Sequence, residues 1–331
     1  MDKQSNRRVF LQNVGVAAIG LGAAQALARQ DVSDAESSKR WRTAVGLNGF
    51  WSSRRSYGYK MELADVLKLI KNCRYDGVEL VPWGGPYPAT PAEGRDLKKQ
   101  YDDLGLQIVS LQGRSCGGSC GSSDRARREK YLSDLKRQVD LLRSWDCEFV
   151  GVWSGGRPGP GSEEYCKWTA DTWARLTEYA GERGMYVVTE PEPVMAIHTL
   201  ELLQSVVDSI DSDNFRLIFD PSHSTLLGDG DPFVFLKQFR GKIGHVHFID
   251  TDGTRRGPKG TSKHLTLGDG KLDLLGLLRE LKNQGYDKWI MLDIWDIPDI
   301  YRATIVGKEK LDAMQDILFP VRLPGIANKQ S

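Results

Sequence analysis

Four short apolar, β-branched runs in this chain each deliver a group that can bind a cation or move a proton. Val187-Val188-Thr189 leads to Glu190, and Leu217-Ile218-Phe219 leads to Asp220 and then Pro221-Ser222-His223. The run from Ile243 carries His245 and His247, and Trp289-Ile290-Met291-Leu292 leads to Asp293. Carboxylate oxygens with neutral imidazole make a hard-to-borderline donor set, suited to Mn²⁺, Mg²⁺, Co²⁺ or Zn²⁺. An ion held this way acts as a Lewis acid, and carboxylates on either side of a carbon can remove and return its proton. The four runs read as parts of a metalloenzyme.

Residues so far apart in sequence meet only if the elements carrying them converge. Eight strand-like runs lie at residues 43–47, 77–81, 106–111, 147–153, 185–190, 215–220, 243–249 and 289–294. Helical spacing fills the intervals, as in Leu63, Val66, Leu67 and Ile70, or Leu274, Leu275, Leu278 and Leu281. Asp231-Pro232 is a helix entry with proline at the first helical position. Eight strands alternating with helices is the count of a single (β/α)₈ TIM barrel, whose parallel strands point their carboxyl ends into one mouth. The Gly/Pro/Ser-rich stretches 83–91, 113–123 and 154–162 follow strands two, three and four, so they read as loops at that mouth.

This order of groups resembles the xylose-isomerase-like superfamily of sugar phosphate isomerases and epimerases. The shared pattern is Glu after strand five, Asp-Pro-Ser-His after strand six, His-Val-His on strand seven and an acid on strand eight. Gly268-Asp269-Gly270 supports it, and the resemblance spans nearly all of residues 43–331. It implies one divalent ion, held by Glu190, Asp220, His247 and Asp293. The last departs from the family's usual Glu, and Asp296 is the alternative ligand. The resemblance also implies that His223 holds a substrate oxygen and that an arginine after strand seven contacts substrate. Arg255 and Arg256 occupy that stretch, where an exposed basic turn explains them as well. His245 shares a strand face with His247 and is expected to pack or orient. Glu192 and His264 are weaker candidates, and Glu79 reads equally as a pocket residue or a structural ion pair.

The implied activity is a metal-dependent isomerase or epimerase acting on a keto-sugar through an enediolate, with Glu190 and Asp293 as the acid–base pair. Elimination from a 3-keto-glycoside or keto-inositol starts from the same enolisation, so a lyase or dehydratase is the second reading. A non-catalytic exported sugar-binding barrel is the third. Trp51, Trp83, Trp153 and Trp295 follow or end strands, where flat aromatic faces suit the C–H faces of a sugar.

Lys+Arg 45 against Asp+Glu 44 leaves a net charge of +1, no footprint for nucleic acid or an anionic membrane. Nuclease barrels of the endonuclease-IV type need a histidine-rich three-metal cluster, and this chain has five histidines in all. Neither a G-x-G-x-x-G after the first strand nor a G-x-S-x-G elbow is present. At the amino end, Arg7-Arg8, a mildly apolar stretch from Val14 to Ala24 and Ala26-Leu27-Ala28 resemble a Tat signal with its cleavage site. Residues 1–28 are therefore expected to be a signal peptide read by the Tat export machinery, and 29–42 a linker. The barrel over 43–331 is expected in the periplasm or another extracytoplasmic space, with no membrane span after processing. That destination favours an unphosphorylated sugar. Of five cysteines, Cys116 and Cys120 are close enough for a loop disulfide, or stand as two free thiols.

Overall fold

The eight apolar runs form eight parallel strands: β1 (Arg42–Gly46), β2 (Gly77–Leu80), β3 (Gln107–Leu111), β4 (Phe149–Val152), β5 (Tyr186–Thr189), β6 (Phe215–Phe219), β7 (Ile243–Phe248) and β8 (Trp289–Leu292). The computed structural model describes residues 40–80, 88, 90–112, 119–227 and 230–320. The expected signal peptide, nearly all of the linker, Trp83 and Cys116 lie outside the described residues. Strands pair in the order β3-β2-β1-β8-β7-β6-β5-β4. A single parallel bridge between Gln112 and Gly151 joins the two ends of that order. The sheet is a TIM barrel.

Its strands are buried along nearly their whole length because the sheet is covered on both faces, which is why they read as continuous apolar runs. One large core lies between sheet and helices. A separate cluster of Ala44, Val109, Phe149, Val188, Ile218, Trp289 and Met291 fills the inside of the barrel. His245 rests on this plug, its ring 4.6 Å from that of Phe149. Polar side chains begin above it.

Ten helices accompany the strands among the described residues: α1 (Leu47–Tyr57), α2 (Leu63–Asn72), α3 (Pro91–Asp102), α4 (Arg125–Ser144), α5 (Ser162–Gly181), α6 (Leu200–Ile210), α7 (Pro221–Leu227), α8 (Pro232–Gln238), α9 (Leu274–Asn283) and α10 (Ile300–Leu318). Side-chain caps start many of them. Thr199 accepts from Leu202 N, Asp231 from Phe233 N and Asp273 from Gly276 N, each satisfying an amide that the first turn leaves unpaired. Among the described residues, no helix is long and apolar enough to cross a membrane.

Closure of the barrel depends on a missing side chain. A Cβ at Gly151 would collide with the Gln112 amide, which lies across that strand position. Gly151→Ala is therefore expected to destabilise the fold by about 1–3 kcal/mol, the usual cost of overpacking. Chemical denaturation measures it, and an unchanged midpoint would mean that Gln112 moves aside without cost.

Candidate metal and substrate site

Each of the four expected ligands leaves the barrel at the same end, for a local reason. Glu190 is the first residue past β5, Asp220 the first past β6, and Asp293 the first past β8, while His247 sits one residue before the end of β7. At Asp220 the chain turns straight into α7. The Asp220 Oδ1 accepts from Ser222 N at 2.6 Å, Ser222 Oγ at 2.6 Å and His223 N at 2.9 Å, a helix cap that fixes the carboxylate. The other oxygen, Oδ2, is buried without a hydrogen-bond partner. At Asp293, Oδ1 accepts from Asn48 Nδ2 at 2.9 Å and from Trp295 N at 3.2 Å.

His247 is held between two acids. Its Nδ1 lies 2.7 Å from Glu190 Oε1, and its Nε2 3.1 Å from Glu79 Oε1. Glu190 also accepts from Trp153 Nε1 at 3.0 Å. Glu79 is fully buried inside the barrel, where Ser110 Oγ donates to it at 2.5 Å, Gln112 Nε2 at 3.2 Å, and His245 Nε2 lies 3.1 Å away. Of the two readings of Glu79, the structure shows the structural ion pair, made with His245 and His247, and Glu79 does not line the cavity. It is the floor of the site, and it orients His247 from below.

The electrostatics follow from this crowding. Burial alone would lift the Glu190 carboxyl, but the adjoining His247 more than offsets it and holds the group down to about 2. Burial would likewise lift Glu79, yet His247 and His245 keep it well below the carboxylate range. Burial disfavours a charged His247, and Glu190 and Glu79 reverse that, raising it well above the ordinary imidazole value. Asp293 is raised by burial. Glu192 is raised to about 7, again chiefly by burial. The negative charge that stabilises an imidazolium here would attract a dication equally well.

Donor atoms of Glu190, His247 and Asp293 lie within 4.8 Å of one another, and so do those of Asp220, His223 and His264. The unpartnered Asp220 Oδ2, turned away from its own helix cap, is what a group intended for a cation looks like. The oxygen and imidazole donors present fit a divalent ion. Asp296 behaves differently. It is buried with a positive φ of 54°, pairs with Arg256, and stands outside the donor groups above.

A cavity of about 520 Å³ opens above these groups, bordered by Trp153, Glu190, Glu192, His223, Arg256, Lys259, Thr261, His264, Asp293 and Trp295 among others. His223 lines it with its Nδ1 fixed 2.6 Å from Ser262 Oγ and its Nε2 3.9 Å from Glu190 Oε1. Two expected substrate contacts fall elsewhere. Arg255 donates to the carbonyls of Pro193 and Gly260, both at 3.3 Å, and braces loops rather than facing the cavity. Trp51 is carried away because the chain after β1 turns at once into α1, where its ring meets Arg54. Asn48, Lys259 and Thr261 were not singled out in sequence, since nothing in their spacing marks them. Cys120 is a buried free thiol donating to the Ser154 carbonyl at 3.0 Å.

The loop after β7 supplies much of the rim. Asp250 anchors both ends of it: Oδ2 accepts from Gly268 N and Gly270 N, both at 2.9 Å, and Oδ1 from Thr251 N at 2.8 Å and Leu272 N at 3.3 Å. A Cβ at Gly270 would collide with that carboxylate, which accounts for a glycine of the Gly268-Asp269-Gly270 motif.

The two strand-seven histidines make separable predictions. His247→Ala should empty the protein of most of its divalent ion, whereas His245→Ala, removing a group that only supports Glu79, should leave most of it. Metal content after dialysis reads this directly. Equal losses would mean that the ion sits lower in the barrel, against Glu79.

Comparison with known proteins identifies the family and the fold. The family model for the xylose isomerase-like TIM barrel matches residues 67–310. An uncharacterised protein of Methanocaldococcus jannaschii is 31% identical over 262 residues, covering 77% of this chain and 86% of its own length. The inosose dehydratase of Lacticaseibacillus casei is 26% identical over 271 residues, covering 73% and 86%. Among solved structures, a D-tagatose 3-epimerase-like protein superposes with a TM-score of 0.68 at 22% identity, over 84% of this chain and 98% of its own. The IOLI protein, solved with a bound zinc atom, gives 0.64 at 17% identity over 84% and 98%.

Proposed function

Because this chain belongs to the xylose isomerase-like TIM barrel family, we propose that it is a divalent-metal-dependent isomerase or epimerase of an unphosphorylated keto-sugar. The observation carrying this reading is that donor atoms of Glu190, His247 and Asp293 lie within 4.8 Å of one another, with Asp220 in an adjoining group of its own, and that Glu190 and Asp293 open onto one cavity. Bound there, a divalent ion would supply Lewis-acid polarisation of a carbonyl and its neighbouring hydroxyl, easing removal of the proton between them.

The protein's own groups do the rest. Glu190, kept ionised beside His247, is the base that takes the proton. Asp293, fixed through Oδ1 by Asn48 and the Trp295 amide, is its counterpart. Return of the proton to the opposite face of the same carbon epimerises, and return to the neighbouring carbon isomerises. His223, with Nδ1 tied to Ser262, presents its other nitrogen to a sugar oxygen. Trp153 and Trp295 offer aromatic walls to the C–H faces. Arg256 is paired with Asp296, which leaves Lys259 as the remaining Lys or Arg of the lining. That is a sparse set for a phosphate, and it favours a neutral sugar.

A second reading, dehydration of a keto-inositol or elimination from a 3-keto-glycoside, is favoured by the inosose dehydratase among its relatives. Glu192, near neutral in pKa and beside Thr261, would be the acid for a departing oxygen. Export through the Tat machinery, inferred from Arg7-Arg8 and the stretch after it, would place the enzyme outside the cytoplasm. The deciding experiment is NMR of metal-reconstituted protein with a panel of ketoses and a keto-inositol in D₂O. Deuterium entering next to the carbonyl establishes enolisation, and the product separates the two readings. Absence of exchange with every member, in protein carrying a full complement of metal, would leave only a sugar-binding barrel.

A further inference from the structure

His264 is the one histidine of the five with neither ring nitrogen in a hydrogen bond, although its side chain is only 1% exposed. Each of the others has a partner: His198 at the Ala196 carbonyl, His223 at Ser262, His245 at Glu79, and His247 at Glu79 and Glu190. Buried polar groups are satisfied as a rule, and an exception calls for an explanation, a bound ion among them. What faces His264 identifies the ligand's charge. Its Nε2 lies 4.0 Å from Asp220 Oδ2, and its Nδ1 3.8 Å from Asp293 Oδ2. Both separations are too long for hydrogen bonds.

The two aspartates are built alike in this respect. Each spends Oδ1 on local donors, Asp220 on the start of α7 and Asp293 on Asn48 and Trp295. Each leaves Oδ2 toward the imidazole. Asp220 Oδ2 and the His264 Nε2 facing it are both buried and unbonded, and with His223 they form a group whose donor atoms lie within 4.8 Å of one another, a set that a divalent cation can collect. The loop holds His264 in place independently of any such ion. Leu265 N donates to the Asp250 carbonyl at 2.9 Å, Lys263 N to the Thr254 carbonyl at 3.0 Å, and Ser262 Oγ lies 2.7 Å from Ser222 Oγ.

We propose that His264 is a further ligand of the divalent ion, giving the centre two imidazole nitrogens among its carboxylates. The inference rests on the metal-dependent reading above and extends it to metal choice. A second imidazole favours Zn²⁺, Co²⁺ or Mn²⁺ over Mg²⁺, which prefers an all-oxygen shell.

The test uses the full chain, stripped of metal and reloaded with Mn²⁺, and counts coordinated nitrogens by pulsed EPR. Two histidine nitrogens are expected, one lost in His264→Gln and the other in His247→Gln. His264→Gln should also lower Zn²⁺ affinity by at least the roughly 10- to 100-fold that loss of a ligand's supporting partner costs, with a much smaller change for Mg²⁺. His264→Glu, which returns an oxygen donor, should regain affinity and shift the preference toward Mg²⁺ without regaining the nitrogen signal. A single nitrogen in the parent, lost only in His247→Gln, would overturn the assignment of His264 while leaving the metal-dependent reading intact. A parent that binds no Mn²⁺ would overturn both.

Discussion

Glu190→Gln should lose at least about 10²- to 10⁴-fold in turnover, the usual cost of one general base, and lose bound metal as well. The glutamine keeps the size of the side chain and an oxygen that still accepts from Trp153 Nε1. Folding is therefore expected to survive, and the loss isolates the charge. That charge is what opposes His247 at 2.7 Å and what a dication needs. Two measurements separate its roles. Metal content reports ligation, and deuterium incorporation at saturating metal reports proton abstraction. Activity within a few-fold of the parent would place the chemistry elsewhere in the barrel.

The second large effect belongs to Asp293. Asp293→Asn should abolish solvent exchange at the substrate carbon, a loss on the order of 10²- to 10⁴-fold, while a substantial part of the metal stays bound. Its Oδ1 would still accept from Asn48 and from the Trp295 amide, so the turn after β8 has no reason to move. Asp296→Asn is the control. It breaks a pair with Arg256 of the cavity lining and should change KM more than kcat. A reversal, with Asp296→Asn eliminating exchange and Asp293→Asn mild, would show that the strand-eight acid was misassigned. A protein that binds sugar without turning it over would show no exchange in the parent and only altered affinity in either variant.

The parts of this site that can be read in the sequence are those where a strand ends. A parallel strand buried on both faces is an unbroken apolar run, so the first acid after it marks both the strand's end and the barrel's mouth. Glu190, Asp220 and Asp293 stand out for that reason, and His247 by its two-residue spacing from His245. Helices were legible where apolar residues recur on one face, as in α6 and α9. Four were not foreseen. In α1, Gly49, Ser52, Ser53 and two arginines blur the period, although its buried face includes Asn48 and Phe50. The short α7 hides behind Pro221, α3 has few apolar positions, and α10 lies beyond the last strand, where the eight-fold count was already complete. The same uncounted α1 is why Trp51 faces Arg54 and not the cavity. Contacts that join distant segments leave no local trace. Asn48 meets Asp293 across 245 positions. The sequence allowed Glu79 a structural ion pair but did not show that its partners are His245 and His247, because that pairing depends on the inside of a closed barrel.

The Asp250 anchor has a consequence for how such an enzyme could be re-engineered. Arg256, Lys259, Thr261 and His264 all ride on the single segment that this carboxylate fastens at both ends. That segment is a cassette: exchanged between Asp250 and Leu272, it would leave the eight strands and the four expected ligands they carry in place. If His264 is a ligand, such a transplant would carry sugar preference and metal preference together. A designer could not graft a new rim onto this barrel without also choosing its ion.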